Sequence, residues 1–268
     1  MSRLIPCLFC CLLFTSTIVV RAEEQNSPAK IPPRDSFQIA GRQAFTILPP
    51  DASRKNEPLP WVWYAPTLGQ RYPGKEEAWM FARFLDQGIA IAGIDVGESY
   101  GNPQGRAQFQ ALYKELTGKR GFSKKPVLLA RSRGGLMLYN WAVEHPESVG
   151  GVAGIYPVCN LASYPGLKKA ALAYQKTAEE LQTALSAHNP IDRLAPLAEA
   201  KVPIHHIHGD QDKVVPLEEN SGKLAERYRA LGGPIQLDVI EGQGHNLWKG
   251  WFESESLTRF IIEQATKR

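Results

Sequence analysis

Val127-Leu128-Leu129-Ala130-Arg131-Ser132-Arg133-Gly134-Gly135 is the stretch on which the fold turns. Val127 to Leu129 is apolar without alternation, as in a strand buried on both faces. Five residues after Leu129, Gly134 to Val143 continues with helical spacing. A strand that enters a helix through so tight a turn is the opening of a βα unit in a parallel sheet. Ligands in such sheets bind just beyond the carboxyl ends of the strands, which draws attention to Ser132.

The pattern repeats in both directions. Phe45–Leu48, Trp61–Tyr64, Ile89–Ile94, Val152–Tyr156, Ile204–Ile207 and Ile235–Ile240 read as strands. Helical spacing is seen at Glu76–Leu85, Phe109–Leu116, Leu224–Leu231 and Leu257–Ala265. The expected fold is α/β, with a mostly parallel central sheet covered by helices on both faces. Residues 161–200 break the rhythm with one or two extra helices, around Leu167–Gln175 and Ala178–Ala187. They are expected to form a small cap insertion within one domain spanning 36–268.

The Ser132 turn resembles the G-x-S-x-G nucleophile elbow of the α/β hydrolases, with Ala130 in place of the first glycine. That family carries its catalytic residues in the order Ser, Asp or Glu, His. His208-Gly209-Asp210-Gln211-Asp212-Lys213-Val214-Val215-Pro216 resembles the family's H-G-x-x-D-x-x-V-P acid loop, which places the acid at Asp212 and leaves Asp210 to the turn. Glu241-Gly242-Gln243-Gly244-His245 is similar to the loop that carries the histidine before the last helix. The resemblance implies an α/β-hydrolase fold and a triad of Ser132, Asp212 and His245. It implies oxyanion donation from the backbone N–H of Arg133 and from the loop after the first parallel strand, at Thr67 or, failing that, Leu68. No cofactor is implied.

Other residues carry less. Glu98 and Tyr100 lie in a loop after a strand, Trp248 follows His245, and Arg131 flanks Ser132; all four are candidates for the substrate cleft. Arg131 and Arg133 are expected to pair with carboxylates such as Glu98 or Asp95, or else Arg133 grips an anionic substrate. His205 and His208 have a His-x-x-His spacing, but strand alternation sends them to opposite faces, which argues against a metal. Cys159 reads as a small buried hydrophobe.

Residues 1–22 have the build of a secretory signal: Arg3, an apolar run from Leu4 to Phe14, and small residues ending at Ala22. The run is too short to span a membrane. Cleavage there removes two arginines and no acid, so the formal charge of +4 falls to +2, and Cys159 is left as the single cysteine. Residues 23–35 read as a flexible lead-in. So small a charge gives nucleic-acid binding no support. The expectation is a secreted or periplasmic serine hydrolase of carboxylic esters, with an acylated carbohydrate as one candidate substrate. A peptidase resembling the prolyl oligopeptidase catalytic domain is the alternative, prompted by S-x-G-G. A hydrolase-fold binding protein without catalysis is the alternative of another class.

Overall fold

Among the described residues, eight strands form one sheet in the order β1 (Asp35–Ile39), β2 (Arg42–Ile47), β4 (Ala90–Ile94), β3 (Trp61–Ala65), β5 (Val127–Arg131), β6 (Gly151–Ile155), β7 (Ile204–Gly209) and β8 (Ile235–Ile240). The computed structural model describes Met1 and residues 33–51, 57–69 and 71–267. The signal segment beyond Met1, and the lead-in up to residue 32, lie outside the described residues. Asp35, expected in the lead-in, instead opens β1.

The β1–β2 hairpin is antiparallel and so is the β2–β4 pairing; every pairing from β4 through to β8 is parallel. Along the parallel strands alternate residues enter two different cores, because successive side chains leave opposite faces. Val62, Tyr64, Leu129 and Ile155 face one way and pack on α1 (Ala78–Asp86), α8 (Lys249–Phe252) and α9 (Glu255–Thr266). Trp61, Trp63, Leu128 and Val152 face the other way, onto α2 (Pro103–Lys119), α3 (Gly134–Ala142), α6 (Ala195–Glu199) and α7 (Ser221–Ala230). Both faces of β3 and β5 are therefore covered, which is why the sequence there lacks polar alternation. Trp63 sits 5.2 Å from Trp61 and 4.7 Å from Trp141, centroid to centroid, at the centre of the second core.

Helix starts follow local chemistry. Asn102 Oδ1 accepts from the Gly105 amide at 2.7 Å and Pro103 occupies the first turn of α2, where its missing N–H costs nothing. α4 (Leu167–Ala173) and α5 (Ala178–Thr183) form the extra helices of 161–200, and Thr177 with Glu180 closes a capping box at α5. Leu161, Ala170, Ala171, Tyr174 and Leu181 from this segment pack against Tyr100, Leu136, Val158 and Val215. The insertion is thereby fixed to α3 and to the loops at the carboxyl end of the sheet. Among the described residues no helix is long and apolar enough to cross a membrane.

Candidate active site

The turn after β5 holds Ser132 at φ +50°, a left-handed conformation that is costly for a residue with a Cβ. Two glycines allow it. A Cβ on Gly134 would lie 2.1 Å from the Ala65 carbonyl oxygen, and one on Gly135 would lie 2.3 Å from that of Val158. The first turn of α3 is thus pressed between β3 and the segment after β6. Ser132 N donates to Ile155 O and Val158 N to Ser132 O, so the strained residue is held from both sides.

Ser132 Oγ lies 2.9 Å from His245 Nε2, and His245 Nδ1 lies 2.7 Å from Asp212 Oδ2. Three side chains from three separate loops therefore meet in one line. Asp212 Oδ1 accepts from the amides of Val214 and Val215 at 2.9 and 2.8 Å, and His208 Nε2 approaches Oδ2 at 3.3 Å. Burial by itself would raise the Asp212 pKa, but bonds from His208, His245 and Val215 overcome it and hold the carboxyl well below its ordinary range. The carboxylate is thus kept ionised beside the imidazole. Asp210 does different work: its Oδ1 accepts from Gly242 N at 2.7 Å and joins the acid loop to the histidine loop. The Tyr156 ring packs 4.3 Å from the His245 ring, and its hydroxyl donates to Asn246 O at 3.2 Å. Imidazole position is thereby set from the side as well.

A cleft of about 300 Å³ opens over these groups, lined by Pro66, Leu68, Tyr72, Ser132, Tyr156 and His245, with Arg131, Arg133, Asn246 and Leu247 completing it. Arg133 begins the helix below, so its N–H belongs to the set that has no partner within the helix. Of the two positions expected to give a second oxyanion donor, Leu68 lines the cleft. Thr67 instead lines a separate small pocket with Arg34, Phe45 and Asp95, and its methyl would crowd any side chain on Gly93.

Arg131 and Arg133 have unlike surroundings. Arg131 Nη1 bonds Glu77 Oε1 at 2.6 Å in the interior, where Glu77 also accepts from Tyr64 Oη at 2.6 Å and from Gly74 N at 2.8 Å. The guanidinium stands 4.8 Å from both the Tyr72 and the Phe252 rings. Burial opposes its charge, but Tyr64, Glu77 and Tyr156 outweigh burial and raise its pKa. Arg133 pairs instead with the half-exposed Glu98 and lies 5.8 Å from the Tyr164 ring. Tyr164 is the reach of the 161–200 insertion toward the site, and none of that segment lines the cleft itself.

The remaining expected cleft residues lie elsewhere. Glu98 borders a second, open pocket of about 300 Å³ with Arg42, Ser99, Asn102, Gln104 and Gln108. Tyr100 is buried with the insertion, its pKa pushed up to about 12 by burial and then by Glu98. Trp248 is 42% exposed and packs edge-on against Trp251, so Asn246 and Leu247 form the wall expected of it. His205 bonds Asp238 and faces Phe260 on one side of the sheet, whereas His208 faces Ser221 on the other. Cys159 is fully buried, and burial pushes its thiol pKa up. Glu77 escaped the sequence reading altogether. Its signal was a carboxylate at the head of a helix whose buried face is apolar, with nothing to announce a partner 54 residues away.

The sequence model described as "Prolyl oligopeptidase family" matches residues 108–265. No curated protein matches the chain in sequence. Among solved structures, dipeptidyl peptidase 4 of Porphyromonas gingivalis is similar with a TM-score of 0.69 at 14% identity, over 87% of this chain and 36% of that one. A puromycin-hydrolyzing peptidase of Mycobacterium tuberculosis gives 0.66 at 16% identity, over 87% and 39%. An S-formylglutathione hydrolase from Agrobacterium tumefaciens gives 0.65 at 16% identity, over 87% and 93%. The chain therefore spans well under half the length of those two peptidases, but matches nearly the whole of that hydrolase.

Proposed function

We propose that this chain, which belongs to the prolyl oligopeptidase family, cleaves carboxylic esters through an acyl-enzyme on Ser132. The family and the α/β-hydrolase fold make it a serine hydrolase; the bond it cleaves is the proposal. The observation that carries the acyl-enzyme part of the reading is the line Ser132 Oγ–His245 Nε2 and His245 Nδ1–Asp212 Oδ2, at 2.9 and 2.7 Å, a geometry that serves esters and peptides alike.

In this mechanism His245 Nε2 accepts the Ser132 proton as Oγ attacks the acyl carbon. The Arg133 N–H, together with an amide from the Pro66–Leu68 loop, steadies the oxyanion, aided by the amino end of α3. The imidazolium, held by ionised Asp212, returns its proton to the departing alkoxide. Water then enters, His245 takes its proton, and the acid leaves with Ser132 restored.

An acylated carbohydrate is the substrate class we favour. Arg133 lines the cleft and pairs with Glu98, which borders the open pocket with Gln104, Asn102 and Gln108, a surface suited to hydroxyl groups. The pattern of 1–22 is our ground for proposing that the protein is exported. A peptidase is the second reading, favoured by the family itself and by the likeness to dipeptidyl peptidase 4. Parallel kcat/KM measurements on p-nitrophenyl acetate, an acetylated methyl glycoside and a proline-containing peptide anilide separate the two. Both esters should turn over well ahead of the anilide. Preference for the anilide would replace the ester reading with the peptidase one.

A further inference from the structure

His206, His208, Ser221 and Tyr139 are fully buried, polar and unused by the mechanism above. They form one continuous chain. Tyr139 Oη lies 2.7 Å from His206 Nε2, His206 Nδ1 lies 3.0 Å from Ser221 Oγ, and Ser221 Oγ lies 2.8 Å from His208 Nδ1. His208 Nε2 then stands 2.8 Å from Val215 O and 3.3 Å from Asp212 Oδ2.

The direction of every proton follows from the last link. A carbonyl and a carboxylate only accept, so His208 Nε2 must carry a hydrogen. In the neutral ring Nδ1 is then an acceptor, and the Ser221 hydroxyl must donate to it. Ser221 Oγ accepts in turn from His206 Nδ1–H, which leaves His206 Nε2 to accept from the Tyr139 hydroxyl. Burial holds the His206 pKa well below its ordinary value, in keeping with a neutral ring that donates once and accepts once. No other arrangement of neutral rings satisfies all four groups.

The elements joined are those that build the site. Tyr139 lies on α3, which starts beneath Ser132; His206 and His208 lie on β7; Ser221 opens α7; and Val215 shares its loop with Asp212. We propose that Tyr139, His206, Ser221 and His208 form a directional hydrogen-bond chain that positions the catalytic acid, with His206 as the Nδ1–H tautomer and His208 as the Nε2–H tautomer. The positioning role rests on the acyl-transfer reading; the tautomers do not. A bond passed along such a chain strengthens its neighbours in a dry interior. His208 gives its one Nε2–H to Val215 O and sets that edge 3.3 Å from Asp212 Oδ2, so the chain fixes the loop that carries the carboxylate and keeps it aimed when His245 gains and loses its proton.

Long-range proton–nitrogen correlation spectra of the full chain, labelled with 15N-histidine, read the two tautomers directly. The expected result is opposite tautomers for His206 and His208. The same tautomer in both, or a doubly protonated ring at either, overturns the chain. Ser221→Ala supplies the functional arm: kcat on p-nitrophenyl acetate should fall about tenfold, the loss of roughly one hydrogen bond in the transition state, with KM unchanged. Tyr139→Phe, which removes the terminal donor, should lower kcat less, again without moving KM. Wild-type kcat in both variants would overturn the positioning role even with the tautomers as expected. A wild-type protein that turns over no acyl substrate would overturn the acyl-transfer reading, and the positioning role with it, while the spectra still decide the tautomers.

Discussion

Asp212 meets His245 Nδ1 through Oδ2 at 2.7 Å, and its other oxygen is saturated by the amides of Val214 and Val215. No freedom remains for it to turn. Asp210, two residues earlier, is tied to Gly242 and does not reach the imidazole. Asp212→Asn should therefore cost on the order of 10⁴ in kcat, as loss of the orienting acid does in serine proteases. Asp210→Asn should cost no more than about tenfold, through a loosened turn. Steady-state kinetics on one ester decides between them, and the reverse order would reassign the acid.

The same contacts set the pH dependence. The depressed Asp212 pKa leaves its carboxylate ionised throughout the range in which an imidazole titrates. The acidic limb of kcat/KM should therefore fall with unit slope, as one group gains one proton. The stability that Asp212 contributes is present above the ordinary carboxylate range and is lost as pH falls through its folded-state value, which lies below that range. Acid unfolding of Asp212→Asn should accordingly lack that part of the pH dependence. A limb of slope two would mean that Asp212 titrates together with the base.

Arg131 and Glu77 face each other in the interior, with side chains 8% and 0% exposed. Removing either one strands the other charge without water. Arg131→Met and Glu77→Gln should each destabilise the protein by about 3–5 kcal/mol in urea unfolding. The double variant Arg131→Met/Glu77→Leu should recover much of that loss, because two apolar groups replace two costs. A double variant as unstable as the sum of the singles would mean that the two residues contribute independently and that neither neutralises the other.

How much of this was legible in the sequence depended on how local each cause is. The parallel strands could be read because apolar runs such as Val127–Leu129 record burial on both faces. β1 could not, since an edge strand half in water alternates weakly, and its hairpin turns on Ala40-Gly41 rather than on an Asn-Gly pair. The three residues of the candidate triad could be picked out because each follows a strand within a short motif. Glu77, Tyr139 and Ser221 gave no such sign, since each acts through a partner brought near only by the packing of helices on the sheet. Thr67 was preferred over Leu68 by position alone, and which of two adjacent residues lines a cleft depends on backbone torsions that sequence spacing does not carry.

Arg133 and Glu98 form a pair near the surface, where such pairs contribute about 0–1 kcal/mol. With Glu98 in place the guanidinium is already matched, so Arg133→Gln should leave the ratio of activities on anionic and neutral esters of the same acyl group close to wild type. Glu98→Gln releases the positive charge into the cleft rim. That variant should prefer the anionic ester, and the preference should weaken with added salt. Selective loss on the anionic ester in Arg133→Gln would show that Arg133 grips substrate despite Glu98.

The account stands on Ser132 as the nucleophile. The most direct measurement is reaction of the protein with a fluorophosphonate probe, followed by peptide mapping of the labelled site and comparison with Ser132→Ala. The expected result is one label, on Ser132, and loss of both labelling and p-nitrophenyl acetate turnover in a Ser132→Ala protein that unfolds at the same denaturant concentration as wild type. A label on another serine, or turnover undiminished in Ser132→Ala, would contradict it.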